Sequence, residues 1–146
     1  MMKVLFDTNV LVAATIAAHP NNAIAFAWVQ DVINGSIFGY ISTHSLAELY
    51  SVLTRLPLPT RILPQQACYG IKNNLNYFRL VDLDSSDYLK VIESISKAEI
   101  TGGGIYDALI AQAALKANVD ILLTFNPKHF TRLGEPISRL VQDPSA

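Results

Sequence analysis

Asp7, Glu48 and Asp107 are the residues of this chain whose types and settings could do chemistry together. Asp7 directly follows the apolar run Val4-Leu5-Phe6 and precedes Thr8-Asn9. A buried strand ending in a carboxylate delivers a negative charge to the strand's C-terminal edge, where open α/β sheets bind their ligands. Glu48 and Asp107 fall near predicted helix starts, and Thr124-Phe125-Asn126 follows a second apolar run, Ile121-Leu122-Leu123. Carboxylates gathered at one edge repel: two unit charges ~4 Å apart cost about 4 kcal/mol when the effective dielectric is roughly 20. A hard divalent cation relieves that repulsion, and Mg²⁺ or Mn²⁺ prefers oxygen ligands. The pattern points to a metal-dependent phosphodiesterase site.

Each acid also has a plainer reading. Asp7 is a favoured residue for capping the helix that follows it. Ser45-Leu46-Ala47-Glu48 fits a capping box, in which Glu48 only satisfies a backbone N–H. Asp107 sits in a first helical turn, where the dipole favours acids. It nevertheless shares a face with Ile110, Ala111 and Ala114, and a carboxylate on an apolar stripe needs a partner. Asn126-Pro127 is ordinary turn chemistry. The preceding Gly102-Gly103-Gly104 lets backbone approach a ligand or simply ends a helix. It is not a phosphate loop, because neither G-x-x-x-x-G-K-[ST] nor a post-strand G-x-G-x-x-G is present. The joint order of these weak signals is what favours a site.

The elements that must position them alternate between strand-like and helix-like, which predicts a parallel sheet with covering helices. Residues 2–6 read as a buried strand and 8–17 as a helix capped by Asp7 or Thr8. Asn21-Asn22 caps a second helix through about Ile33, ended by Gly35. Residues 36–42 form the second strand. The helix beginning near 42–45 carries Leu46, Leu49, Leu53 and Leu56 at helical spacing, and Pro57 and Pro59 stop it. A helix follows Pro64 to about Asn74, then a strand over 77–83. Ser85 or Ser86 caps a helix to about Ala98. A helix spans 105–117, a strand 119–124, and a last strand 137–141. No repeat or linker divides the 146 residues, so one domain over 1–146 is expected.

Composition narrows the classes further. With 51% hydrophobic and 16% charged residues, the chain is no disordered segment. The single cysteine, Cys68, cannot close an internal disulfide, so nothing asks for an oxidising compartment. With no His or Cys beside it at zinc-ligand spacing, Cys68 reads as a core or helix-surface thiol. Asp7, Thr8 and Asn9 interrupt the N-terminal apolar stretch, and no apolar run reaches the ~20 residues that span a bilayer. A cytoplasmic protein with no membrane partner is expected. The net charge is -1, from 11 basic and 12 acidic residues, so no overall basic field holds nucleic acid. Any such substrate must be held locally and by the metal.

Asp7-Thr8-Asn9, Glu48 on a mid-chain helix, Gly-Ile-Tyr-Asp-Ala-Leu-Ile-Ala at 104–111 and Leu-Thr-Phe-Asn-Pro-Lys-His-Phe at 123–130 resemble PIN-domain ribonucleases. The VapC-type toxins of bacterial toxin–antitoxin pairs are the nearest likeness, and it spans nearly the whole chain. The resemblance implies a PIN-like three-layer α/β/α fold with a central parallel sheet. It also implies Mg²⁺- or Mn²⁺-dependent cleavage of single-stranded or looped RNA, leaving 5′-phosphate and 3′-hydroxyl ends. Homodimers and an antitoxin whose C-terminal segment covers the active site are implied too. Carried over, Asp7, Glu48 and Asp107 match the acidic triad as catalytic and metal-binding residues, with Thr8, Asn9, Thr124 and Asn126 supporting them. A fourth acid is often found where this chain has Asn126. Arg55, Arg61, Lys128, His129 and Arg132 are candidates for phosphate contacts. The stretch from Leu53 to Leu63 could offer a partner helix an apolar groove.

Two rival readings remain at this stage. One is a catalytically silent PIN-like module that binds RNA or a protein, supported only by Asn126. The other is a phosphotransfer or receiver domain with Asp7 as phosphoacceptor. That fits poorly, since haloacid-dehalogenase-like enzymes usually carry a second Asp where this chain has Asn9, and receivers place theirs on a later strand.

Overall fold

Val4, Leu5 and Phe6 are apolar without alternation, and such a strand needs cover on both faces. The computed structural model describes residues 1–146 and supplies that cover. The strand β1 (Lys3–Phe6) is the centre of a five-stranded, all-parallel sheet. It pairs with β2 (Phe38–Ser42) on one side and β4 (Ile121–Leu123) on the other, while β3 (Arg79–Val81) and β5 (Val141–Gln142) form the edges. Leu5 lies between Tyr40 and Leu122 in register.

Alternation along each strand splits the core in two. Val4, Phe6, Ile41 and Leu123 point to one face. There they pack with α1 (Thr8–Thr15), α2 (Asn22–Ile33), α3 (Thr43–Arg55) and α4 (Pro64–Asn74). Leu5, Tyr40 and Leu122 point to the other, against α6 (Gly104–Lys116) and Phe130 of the short α7 (Pro127–Thr131). The helix α5 (Ser85–Lys97) covers α6 through Val91, Ala108 and Leu109. This is the expected three-layer α/β/α arrangement. Leu49 and Leu53 of the expected stripe are buried, and Leu46 and Leu56 pack beside them. Gly39 lets β2 pass between Phe78 and Val32, whose side-chain atoms would lie 2.7 and 2.8 Å from an added Cβ.

The departures from expectation have local causes. The strand β2 begins at Phe38 because the Ser36 and Ile37 amides donate to Asp31 O at the end of α2. Likewise β3 begins at Arg79, since the Tyr77 and Phe78 amides turn back to Asn74 O. The first helix ends at Thr15, where Ile16 becomes extended. Residues 137–140 form turns, so the last strand is only Val141–Gln142. Asn126-Pro127 opens α7 instead of a bare turn, because proline's fixed φ suits a first helical position. Asp84, not Ser85 or Ser86, caps α5 in a reciprocal box with Asp87. Ser42 caps α3 by accepting from the Ser45 amide, so Ser45 lies inside the helix and the Ser45–Glu48 capping box does not form. Cys68 is exposed on α4. No helix is long and apolar enough to cross a membrane.

Candidate functional site

The parallel sheet sends the C-terminal ends of β1, β2 and β4 to one edge, and the acids gather there. Asp7 follows β1, α3 begins at the end of β2 and carries Glu48, and Asp107 occupies the first turn of α6. A cavity of about 350 Å³ is lined by Asp7, Thr8, Asn9, Glu48, Asp107 and Asn126, with His19, Tyr106 and His129 among the rest of its wall. Of the acidic triad and its expected supporting residues only Thr124 is absent from the lining. It is fully buried behind Asp7.

Asp7 has both roles weighed for it. It caps α1, its Oδ1 accepting from the Thr8 amide at 2.7 Å, while Oδ2 accepts from the Thr124 hydroxyl at 2.8 Å. These donors are neutral, and the side chain is almost wholly buried. Burial pushes its carboxyl up to about 7 against the pull of the Thr124 and Thr8 hydrogen bonds, and the nearby Glu48 and Asp107 charges push the same way. Asp107 is also raised, chiefly by burial, while the His129, Arg132 and His44 side chains lower it. His129 Nδ1 lies 3.6 Å and Arg132 Nη2 3.7 Å from Asp107 Oδ2.

A ring of polar groups holds these acids in place. Thr124 Oγ1 accepts from the Asn126 amide at 3.0 Å and from Asn9 Nδ2 at 3.4 Å, and Asn9 Oδ1 accepts from the Phe125 amide at 3.3 Å. Thr8 Oγ1 donates to Ser45 Oγ at 3.0 Å, and Ser45 Oγ meets Ser42 Oγ at 3.1 Å. That buried hydroxyl chain ties the start of α1 to the start of α3 and so sets where Glu48 stands. Gly104 is required by close approach: an added Cβ would collide with Ile100 and lie 2.8 Å from Arg132 Nη2. Asn126 lines the cavity, and Arg55, Arg61 and Lys128 are exposed outside the lining.

The sequence alone assigns Ser42 and His44 no role at the site and offers Ser45 only as a helix cap. Their only signal was spacing, since Ser42, Ser45 and Glu48 recur every third residue along one helix start. His129 and Arg132 were among the surface cations, with nothing to single them out until α7 folded against α6.

No three His, Cys, Asp or Glu side chains stand as a preassembled metal cage. The donor set nonetheless suits Mg²⁺ or Mn²⁺. It consists of carboxylate oxygens with hydroxyl and amide groups beside them, and it includes a buried acid with no cationic partner. An added positive charge would favour the ionised forms of Asp7 and Asp107, whose carboxyls burial raises.

A PIN domain model matches residues 4–136 of this chain. Ribonuclease VapC27 of Mycobacterium tuberculosis (strain ATCC 25618 / H37Rv) is 32% identical over 115 residues, 79% of each chain. Ribonuclease VapC40 of Mycobacterium tuberculosis (strain CDC 1551 / Oshkosh) is 32% identical over 116 residues, 80% of this chain and 81% of that one. Among solved structures, VapBC2 from Rickettsia felis bound to a promoter DNA fragment superposes with a TM-score of 0.68. The identity there is 21%, over 97% of this chain and 98% of that one, and the likeness is one of fold.

Proposed function

The chain belongs to the PIN-domain family, among its VapC-like members, and from that premise we propose that it is a metal-dependent endoribonuclease, the toxin of a toxin–antitoxin pair. One observation carries the reading: a buried Asp7, its carboxyl pushed up to about 7, shares a cavity with Glu48 and Asp107 at the C-terminal edge of a parallel sheet. An acid so placed contributes little to stability and much to holding a cation.

Asp7, Asp107 and Glu48 would hold Mg²⁺ or Mn²⁺. Such an ion, when bound, polarises a phosphoryl oxygen and makes water more acidic. The remaining work falls to the chain. Thr8 N and the Thr124 hydroxyl fix both oxygens of Asp7, so that carboxylate cannot rotate. Arg132, and His129 when protonated, offset the charge of Asp107 beside the cavity, where a phosphodiester anion is to be held. Asn9 holds the turn after β4 and with it Thr124.

The partner in this reading is a cognate antitoxin, whose apolar segment would lie in the groove between α1, α2, α3 and α4. That groove, about 300 Å³, is lined by Leu11, Phe26, Ile33, Leu49, Leu53 and Ile62, and Phe26 and Ile33 remain exposed. Of the Leu53–Leu63 stretch, Leu53 and Ile62 line this groove, while Leu56 and Leu58 pack against the core. A homodimer and a cytoplasmic location, where RNA and antitoxin meet, complete the proposal.

The test is cleavage of a mixed structured and single-stranded RNA pool by wild type and Asp7→Asn, in Mg²⁺, Mn²⁺ and EDTA. Cleavage by wild type in either metal, lost in EDTA and in the variant, is the expected result. A folded wild-type protein that cuts nothing in any metal would move the reading to a silent RNA- or protein-binding module.

A further inference from the structure

Tyr106 stands on the rim of the acidic cavity, one residue before Asp107, and is 51% exposed. Its ring joins none of the buried apolar clusters. It lies instead flat on the imidazole of His44, with centroids 5.1 Å apart and planes within 3° of parallel. His44 is largely buried, and its Nε2 is the only buried side-chain nitrogen or oxygen without a hydrogen-bond partner. That nitrogen lies 4.0 Å from Glu48 Oε2. His44 therefore stands between the aromatic ring and Glu48, while the backbone links the same ring to Asp107. His44 stacks in parallel offset against Tyr106, and about half of the Tyr106 surface stays open to solvent.

Resting on the nuclease reading above, we propose that Tyr106, backed by His44, is the platform on which the base next to the scissile phosphate stacks. Three considerations favour a base. The chain carries a net charge of -1, and the lining holds three acids, Asp7, Glu48 and Asp107, with no Lys or Arg and only the imidazoles of His19 and His129, so phosphate attraction alone is a weak source of affinity here. A flat ring held parallel to a second ring extends naturally to a third planar group, and base–aromatic stacking supplies sequence-tolerant binding. The platform also adjoins the acids, so a stacked base leaves its own phosphate beside Asp107. The consequence is a substrate preference. A base inside a duplex is already stacked on both faces, so the site takes RNA whose base is unpaired and free to move onto Tyr106.

The test uses a short oligouridine carrying one 2-aminopurine, whose fluorescence is quenched by stacking, in Mg²⁺ with the Asp7→Asn chain as a non-cutting background. Tyr106→Phe is expected to keep quenching and affinity. Tyr106→Leu and Tyr106→Ala, checked for folding by circular dichroism, are expected to lose the quenching and bind about tenfold more weakly. His44→Ala, which unseats the ring, is expected to weaken quenching in the same direction. Quenching and affinity unchanged in Tyr106→Ala would overturn the platform, as would a parent protein that does not bind the oligonucleotide. The two readings fail separately. Quenching that depends on Tyr106 in a protein that cuts no RNA sinks the nuclease and leaves the platform standing. Metal-dependent cleavage with Tyr106-independent quenching does the reverse.

Discussion

Two aspartates of this chain are buried to the same degree, Asp7 at 6% and Asp87 at 7% exposure, and their surroundings have opposite character. Asp87 receives Lys116 Nζ at 2.7 Å, Gln112 Nε2 at 3.2 Å and the Asp84 amide at 2.9 Å. Those bonds, led by the one from Lys116, hold its carboxyl well below the usual carboxylate range. Asp7 receives only neutral donors and faces two other acids, so its carboxyl is pushed up. The first is a brace between α5 and α6 whose charge is answered within the fold. The second is an acid with no counter-ion within the fold. Burial alone does not mark a site. Burial without a counter-ion does.

The sharpest way to break this contrast is to neutralise each acid. Asp7→Asn should leave the fold and remove metal-dependent cleavage, a loss of about a thousandfold or more, the scale at which activity rests on preorganised charge. Asp87→Asn should leave cleavage within a few fold and lower Tm. If Asp87→Asn abolished cleavage in a folded protein, the division between brace and site would be wrong.

The pH dependence separates the two acids by sign. Asp7 is raised, so without metal the folded state binds an extra proton between about pH 4 and 7, and its contribution to stability falls as pH rises through that window. A shift of roughly three units corresponds to a change on the order of 4 kcal/mol. Asp87 is lowered, so its contribution is fully present above the ordinary carboxylate pKa and is lost as pH falls toward the folded value. Metal-free melts from pH 3 to pH 8, for wild type and both Asn variants, read each slope. At pH 8, Mg²⁺ at about 100 times its Kd should then stabilise wild type by about 2.7 kcal/mol, and Asp7→Asn much less. Equal Mg²⁺ shifts in the two proteins would remove Asp7 from the metal.

Smaller effects sharpen the picture around Asp7 and Asp107. Thr124→Val removes the buried donor to Asp7 and leaves the half-buried Asn126 and Asn9 donors short of an acceptor, for a cost of about 1–3 kcal/mol by thermal melt. The Asp7 carboxyl should also titrate higher than in wild type, because a hydrogen bond to its charged form is gone. Gly104→Ala forces Ile100 and Arg132 apart and should cost about 1–3 kcal/mol, together with part of the activity if Arg132 serves the site.

Much of this was readable along the chain. Asp7 was legible because it terminates an apolar strand, and Asp107 because it rides an apolar helical face. Glu48 was less so. Its apparent capping box dissolved when Ser42, three residues earlier, took the cap, and only then did its carboxylate turn out to face the cavity. The α7 helix was missed because five residues beginning with Asn-Pro carry no periodicity, and its anchor, the fully buried Phe130, reads as any loop aromatic. With α7 went the pairing of Asp107 with His129 and Arg132, and the His44–Tyr106 stack had no sequence signal at all.

The sequence by itself determined the alternation of strands and helices, the sheet edge on which the acids fall, and the hard-cation character of their oxygens. These follow from short-range periodicity and from the chemistry of single side chains. Which buried acid is answered and which is not was decided only by the tertiary structure. Asp87 and Lys116 are 29 residues apart, and Asp7 and Thr124 are 117 apart. A carboxylate's charge state depends on what lies within a few ångströms through space, and no local rule of the chain reaches that far.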